Sequence, residues 1–433
     1  MSIITVQIGQ CGNQLGWELF NSIAQESLTD GRSNFKTKEA HLLNERFFHV
    51  CDDANKIVAK AILVDTEPKV IQELNLKTEK NTWCYNKDNI YLQQQGASNN
   101  WAYGYNKHGN TAKDVVLDLF QKEIERCDWV SGFLPIMSLA GGTGSGLGAF
   151  LTEVLQDNYP KSIIFSQVVH PFNKGEVTVQ SYNTILSLSH LQNSSDGIVL
   201  YKNDDLHKVC TQRMSIKNVS LQHLNKIIVQ SLAGLLFPSY NNLGVTTNIG
   251  DLMAQCVSHS QYKLLDLISV PQESVDSLSF SSYSWQGLLK SLQRMLFYGS
   301  SIDEASTPTE MKENRNSQSF LSNLLVLRGS DAHSADSSVF QHSISYSSWV
   351  PTNHRFDTWT HSRPLLGHDK TATLASNGQF ILSTIQHSLN KAWNMFAAKA
   401  YLHHYRRYSL TNEDFVEAFA RVEQIVADYK SLH

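Results

Sequence analysis

The sequence predicts an α/β protein built on a doubly wound, mostly parallel sheet, because short apolar runs suited to buried strands alternate with longer segments of helical period. Two junctions rich in glycine, at 9–16 and 140–146, each follow such an apolar run and precede a helical one. Sheets of this class bind ligands at the carboxyl ends of their strands, so these junctions are where a site is expected. The length of 433 residues exceeds one ordinary core. Four parts are expected: the doubly wound domain at 1–202, contacting and connecting helices at 203–240, a smaller α+β domain at 241–380, and a C-terminal helical pair within 381–433.

Candidate strands in the first part are 3–8, 61–65, 132–139, 162–169 and 197–201. Candidate helices are 114–127, where Val115, Val116, Leu119, Phe120 and Ile124 fall on one face, then 148–158 and 179–191. The connecting helix at 220–237 carries Leu221, Leu224, Ile227, Ile228, Leu232 and Leu235 and stops at Pro238, which cannot continue it. The smaller domain mixes strand-like runs at 320–328 and 372–375 with a helix at 285–297 and a polar loop at 299–319. Two amphipathic helices at 385–405 and 412–432 close the chain, with Thr411 or Asn412 as N-cap.

Composition excludes several classes. Hydrophobic residues at 41% and charged residues at 18% describe an ordered globular chain rather than a disordered one. A formal charge of −4, with no basic run longer than His403-His404-Tyr405-Arg406-Arg407, argues against nucleic acid as a partner. That run reads as one solvated helix face. The cysteines at 11, 51, 84, 127, 210 and 256 show no zinc-ribbon spacing and are expected to be reduced thiols. The first residues lack a basic leader, and no apolar stretch reaches the roughly 18 residues that span a bilayer, so membrane insertion is not expected and the cytosol is.

The sharpest motif is Ala140-Gly141-Gly142-Thr143-Gly144-Ser145-Gly146. Its glycines allow close backbone approach to a phosphate, the helix that follows offers free N–H groups and a positive dipole end, and Thr143 and Ser145 add hydroxyls without bulk. A merely tight turn needs one or two glycines, so phosphate binding is the better reading. No Gly-Lys-Ser/Thr follows, which excludes a Walker A loop. The dinucleotide fingerprint fits only in part, and the acidic residue it wants about 20 residues on is missing from 162–170. The second junction, Gly9-Gln10-Cys11-Gly12-Asn13-Gln14-Leu15-Gly16, is placed to line the same pocket. No basic residue lies near Cys11 in the sequence to lower its pKa, so it reads as a small lining residue rather than a nucleophile.

Residues 9–16, Asn99-Asn100-Trp101-Ala102-Tyr103-Gly104 and 141–146 together resemble the tubulin superfamily. The likeness continues through Tyr182-Asn183-Thr184 to Ala392-Trp393-Asn394-Met395-Phe396 and so spans the chain. Within it, Glu45-Arg46-Phe47-Phe48, Ser194-Ser195-Asp196 and the 100–105 and 391–396 segments look most like delta-tubulin. The resemblance implies the tubulin-like fold and a GTP or GDP site contacted by Gln10, Cys11, Asn99, Ser138, Ala140, Gly141, Gly142, Thr143, Gly144, Ser145, Gly146, Gln180, Asn203, Leu221 and Asn225. It also implies Asp65 and Glu67 near a Mg²⁺ and the phosphates, which suits carboxylates following a strand end. For the base, Asn203 and Asn225 match the asparagines that recognise guanine, and an amide offers the donor and acceptor a purine edge needs. The implied partners are other tubulins, alpha, beta and epsilon among them, together with centriolar proteins at centrioles and basal bodies.

Departures from the family pattern set further expectations. Leu221 stands where an aromatic ring usually stacks on guanine, and Gln180 where a ribose-contacting glutamate is usual. The segment 248–254 resembles the loop that meets the next subunit's nucleotide, with Asp251 as the catalytic candidate acting on a neighbour. Ala254 occupies the position of the glutamate that activates water in alpha-tubulins, so GTP turnover is expected to be weak or partner-dependent. The acidic tail of conventional subunits is missing from the sequence as given, and recruitment of basic partners through such a tail is not expected. A soluble, non-polymerising GTPase that regulates microtubule or cilium assembly is the alternative reading, and a Rossmann-type oxidoreductase a distant one.

Overall fold

A computed structural model describes residues 1–28, 38–50, 56–79, 81–175, 177–273, 283–298, 318–342 and 344–432. Two compact units are present, one formed by 1–199 with 383–427 and the other by 200–382 with 428–433. The expected loop at 299–319 lies almost wholly outside the described residues.

The first unit is a parallel sheet covered by helices. Along the chain come β1 (Ser2–Ile8), α1 (Gly9–Leu28), α2 (Lys38–Phe47), β2 (Phe48–Val50), β3 (Ile57–Ala59), β4 (Ala61–Asp65), α3 (Pro68–Thr78), β5 (Trp83–Tyr85), β6 (Ile90–Leu92) and α4 (Gly109–Glu125). Then follow β7 (Val130–Ser138), α5 (Gly148–Asn158), β8 (Ile163–His170), α6 (Gln180–Ser194) and β9 (Gly197–Lys202), within which the chain passes into the second unit. Strand order is β9-β8-β7-β1-β4-β6, with β1 parallel to both β4 and β7. Every residue of β1 and β4 is buried, which is why these strands read as unbroken apolar runs. A separate small sheet, β2-β3-β5, packs its aromatic residues around Phe20. The face expected on α4 is shifted. Val115 is 50% exposed, whereas Glu123 is fully buried alongside Val116, Leu119 and Phe120.

In the second unit are α7 (Asn203–Lys208), α8 (Leu221–Leu236), α9 (Ile249–Cys256), β10 (Leu264–Val270), α10 (Trp285–Tyr298), β11 (Phe320–Gly329), β12 (Phe356–His361) and β13 (Lys370–Gly378). Its sheet runs β12-β11-β13-β10, antiparallel except for the β11–β12 pair. Segment 248–254, expected as a loop, is largely the helix α9. Asn248 Oδ1 caps it by accepting from the N–H groups of Gly250 and Asp251 at 2.6 and 3.2 Å, and its apolar face, Ile249, Leu252 and Met253, is buried, which supplies the packing a helix this short needs.

The chain closes with α11 (Leu382–Ala397), α12 (Leu402–Arg406) and α13 (Asn412–Lys430). The single helix expected over 385–405 is thus two helices. Lys399 and Tyr401 take left-handed backbone conformations at φ 52° and 59°, which neither glycine nor proline announces in the sequence. Thr411 is the N-cap of α13, since its Oγ1 accepts from Asp414 N while Asp414 Oδ2 accepts from Thr411 N. Residues 383–427 pack on α6, where Tyr182 meets Tyr405 and Phe415 edge to face and Tyr182 donates to Ala400 O at 3.2 Å.

Candidate nucleotide site

Three neighbouring parallel strands, β1, β4 and β7, end at one edge of the first unit's sheet and deliver their following residues to it. At the end of β1, Gly9 turns the chain with φ 71°, and a Cβ there would lie 3.0 Å from Gly144 N. Gln10 and Cys11 therefore start α1 directly against the glycine loop. From β4 come Asp65, Thr66 and Glu67; from β7 come Ser138 and the loop itself. The two sets touch where the hydroxyls of Thr66 and Thr143 meet at 2.5 Å.

The loop is held in shape by its own backbone and by a buried amide. Ser138 Oγ accepts from Ala140 N at 3.2 Å, Gly146 N donates to Gly142 O at 2.9 Å, and the buried Ser145 donates its hydroxyl to Gly141 O. Asn183 on α6 is fully buried and makes four hydrogen bonds. Its Nδ2 donates to Asn99 O at 2.8 Å and Ala140 O at 2.7 Å, while its Oδ1 accepts from Trp101 N at 3.1 Å and from the Tyr405 hydroxyl at 2.6 Å. One side chain thus fixes the 99–101 segment and the glycine loop together. Asn99 itself has φ 52°, a strained conformation that this anchoring holds.

Charge at the site centres on Asp65. Burial pushes its carboxyl up to about 6, against the pull of the Glu67 and Thr66 backbone N–H groups that Oδ1 accepts. Among the described residues, its Oδ2 is buried with no hydrogen-bond partner, as is Oδ1 of the neighbouring Asn13. Glu67 is exposed and sits just before Pro68 at the start of α3, its carboxylate beside Gly96. Gln180 opens α6, and its Nε2 donates to Phe172 O at 2.7 Å.

Cys11 is not an activated thiol. Part of the residue is open to solvent, yet the low-dielectric surroundings push the thiol up to about 12. Its alkylation at pH 8, read by mass spectrometry with and without nucleotide, should be about a thousandfold slower than in the unfolded chain. Labelling at the unfolded rate in nucleotide-free protein would show the thiol to be ionisable and open.

In the second unit, Asn203 is the first residue of α7, and Leu221 and Asn225 lie one turn apart on α8. Leu221 is 54% exposed, with Ser220 and His223 capping the helix it begins. Asp251 lies in the first turn of α9, its Oδ2 accepting from Asn248 N at 2.9 Å, and both Asp251 and Ala254 face solvent.

The sequence does not mark out Asn183 or Thr66 as site residues, and marks Asn13 only as part of the 9–16 junction; Asn13 Nδ2 donates to Gly9 O and Val64 O at 2.9 and 3.2 Å. Asn13 and Thr66 have polar neighbours in the sequence, and only the fold says what each side chain ties together.

A glycine-lined edge on a doubly wound sheet, with a buried carboxylate and a helix start on either side, defines a nucleotide-binding α/β protein. Comparison with known proteins gives the family: residues 2–211 match the Tubulin/FtsZ family GTPase domain. The chain is 40% identical to the tubulin delta chain of Canis lupus familiaris and 41% identical to that of Mus musculus, covering 100% of both chains in each case. Against the tubulin beta-2 chain of Emericella nidulans it is 29% identical, over 99% of this chain and 94% of that one. The chain belongs to the tubulin family, and its GTPase domain is a GTP- and GDP-binding one. The dinucleotide alternative is not favoured. No helix among the described residues is long and apolar enough to cross a membrane.

Proposed function

We propose that this chain is a guanine-nucleotide-binding cytoskeletal protein of the delta type, serving centrioles and basal bodies as a component or assembly factor of their triplet microtubules. What carries the reading is the margin between 40–41% identity to tubulin delta chains over the full length and 29% to a beta chain. Its partners in this reading are alpha-, beta- and epsilon-tubulin and centriolar proteins, and its place is the cytoplasmic cytoskeleton. The four-part division at 202, 240 and 380 belongs to the same proposal. A tagged copy at native level should concentrate at centrioles or basal bodies; an even cytosolic spread would remove this role.

The nucleotide set is the one named from the sequence, with Mg²⁺ held by Asp65 and, through water, Glu67. The orphaned Asp65 Oδ2 supports this, since a buried carboxylate oxygen without a donor suits a hard cation. When bound, Mg²⁺ would neutralise phosphate charge. Asp65 orients it, while the loop N–H groups hold the phosphates.

Glycine substitutions separate fold from binding. A Cβ at Gly144 would sit 3.0 Å from Ser138 O and 3.1 Å from Ser138 N, so Gly144→Val collides with the backbone of β7 rather than with a phosphate. At Gly141 a Cβ meets only Asn99 Oδ1, at 3.6 Å. Gly141→Val should therefore keep the fold and weaken GTP binding at least tenfold, whereas Gly144→Val should lose both. Titration of fluorescent GTP alongside circular dichroism reads the difference, and unchanged affinity in folded Gly141→Val would place the phosphates elsewhere.

A further inference from the structure

Away from the nucleotide site, His49 on β2, Glu123 on α4 and Cys127 just beyond α4 converge within the first unit. One ligand atom from each lies within 4.8 Å of the others, the only such trio of His, Cys, Asp or Glu among the described residues. We propose that these three side chains form a binding site for a transition-metal dication of the zinc class, with a fourth position open to water.

The donor types suit such an ion: an imidazole nitrogen, a carboxylate oxygen and a thiolate sulfur are the ligands zinc takes, commonly with tetrahedral geometry. Placement comes from two elements. Glu123 sits in the last turn of α4, Cys127 follows just past its end where Cys127 N donates to Ile124 O at 3.0 Å, and β2 brings His49 Nε2 to 2.6 Å from Glu123 Oε1. Glu123 is fully buried, and its other oxygen, Oε2, accepts from Asn89 Nδ2 at 2.6 Å, with Arg126 Nη1 at 3.5 Å. Those outer partners orient the carboxylate and leave Oε1 aimed at His49, as outer-shell hydrogen bonds do in metal sites. Without a metal, the His49–Glu123 contact is a part-buried hydrogen bond. With one, the two atoms move apart to about 3.3 Å around an ion at about 2.0–2.1 Å from each, and Cys127 gives its thiol proton to solvent as it binds. Burial raises the Cys127 thiol, and Lys60, which interacts electrostatically with both Glu123 and Cys127, offsets only part of that while repelling the dication. The site is accordingly weaker than a four-cysteine one.

The test uses the full chain with Zn²⁺ and Co²⁺. Expected are one Zn²⁺ per chain competing with Co²⁺, a thiolate-to-cobalt charge-transfer band in the near ultraviolet, and protection of Cys127 from alkylation by Zn²⁺. Cys127→Ser should abolish the band, and both it and His49→Gln should weaken Zn²⁺ binding at least tenfold while bound-nucleotide content stays unchanged. Should His49→Gln fail to fold, the conservative Cys127→Ser variant decides alone. Absence of the band in the wild-type chain, or Zn²⁺ affinity in folded Cys127→Ser equal to wild type, overturns the proposal.

Discussion

Replacing Asn183 by leucine is expected to destabilise the protein by about 3–5 kcal/mol and to lower GTP affinity more than tenfold, although Asn183 is not among the residues expected to touch the nucleotide. The side chain is fully buried, and all its hydrogen-bonding capacity toward the site is used: Asn99 O, Ala140 O, Trp101 N and the Tyr405 hydroxyl. Leucine has the same branching but is larger, so no cavity forms: the loss comes from polar groups left unpaired, with overpacking added. Each buried orphan costs about 1–3 kcal/mol, and partial relaxation keeps the total below the sum. Relaxation has its own consequence here, because the groups that move are the Asn99 segment and the glycine loop. Tyr405→Phe is the matched control. It removes one bond of the four and should cost about 1 kcal/mol while leaving affinity nearly intact. Denaturant unfolding and nucleotide titration of both variants check the claim; an Asn183→Leu protein within 1 kcal/mol of wild type and within twofold in affinity would show that the amide does not organise the site.

What the sequence made legible follows from what each element buries. Parallel strands covered on both faces, such as β1 and β4, are continuous apolar runs and are read to within a residue or two. Helices α5, α8 and α10 have long apolar patterns and a clear stop, and they too match their expected limits closely. Strand β13 was legible only at 372–375, because Thr371, Ser376 and Asn377 on either side of that run are buried polar residues. Thr373 donates to Ser269 Oγ at 3.2 Å, and Asn377 to Cys256 O and Tyr262 O. Polarity of that kind looks like a loop until its partners are known. The three-residue strands β2, β3, β5 and β6 are too short to show any period.

The same limit separates the parts of the nucleotide site. Strand-end junctions are local, so the glycine loop and the 9–16 segment stand out by composition and place, while the roles of Gln10, Cys11 and Asp65 come from the resemblance. The organising amide could not, since the Tyr405 hydroxyl that completes it lies 222 residues away in sequence. Glu123 shows the converse case. In sequence it belongs to the polar side of α4, and only packing reveals a buried carboxylate with His49 beside it.

The second large effect concerns turnover. The wild-type chain should bind GTP yet hydrolyse it about 10²–10⁴-fold more slowly than a conventional tubulin under assembling conditions, the factor typical of a missing general base. On α9, Asp251 and Ala254 lie three residues apart on the solvent-facing side. Asp251 is tied into the helix cap through Asn248 N, and Ala254 carries no group that could orient water. The resemblance to alpha-tubulins puts a glutamate at that position. Ala254→Glu restores it, at a cost of a few tenths of a kcal/mol from like charges one turn apart, too small to unfold a capped helix. If α9 meets a neighbour's nucleotide, the variant should raise phosphate release only when the protein is assembled or mixed with partner tubulins. Phosphate release by the isolated monomer should stay at the wild-type level. A wild-type chain that already matches assembling alpha/beta-tubulin, or an Ala254→Glu chain unchanged in partner-dependent release, would show that residue 254 does not limit hydrolysis.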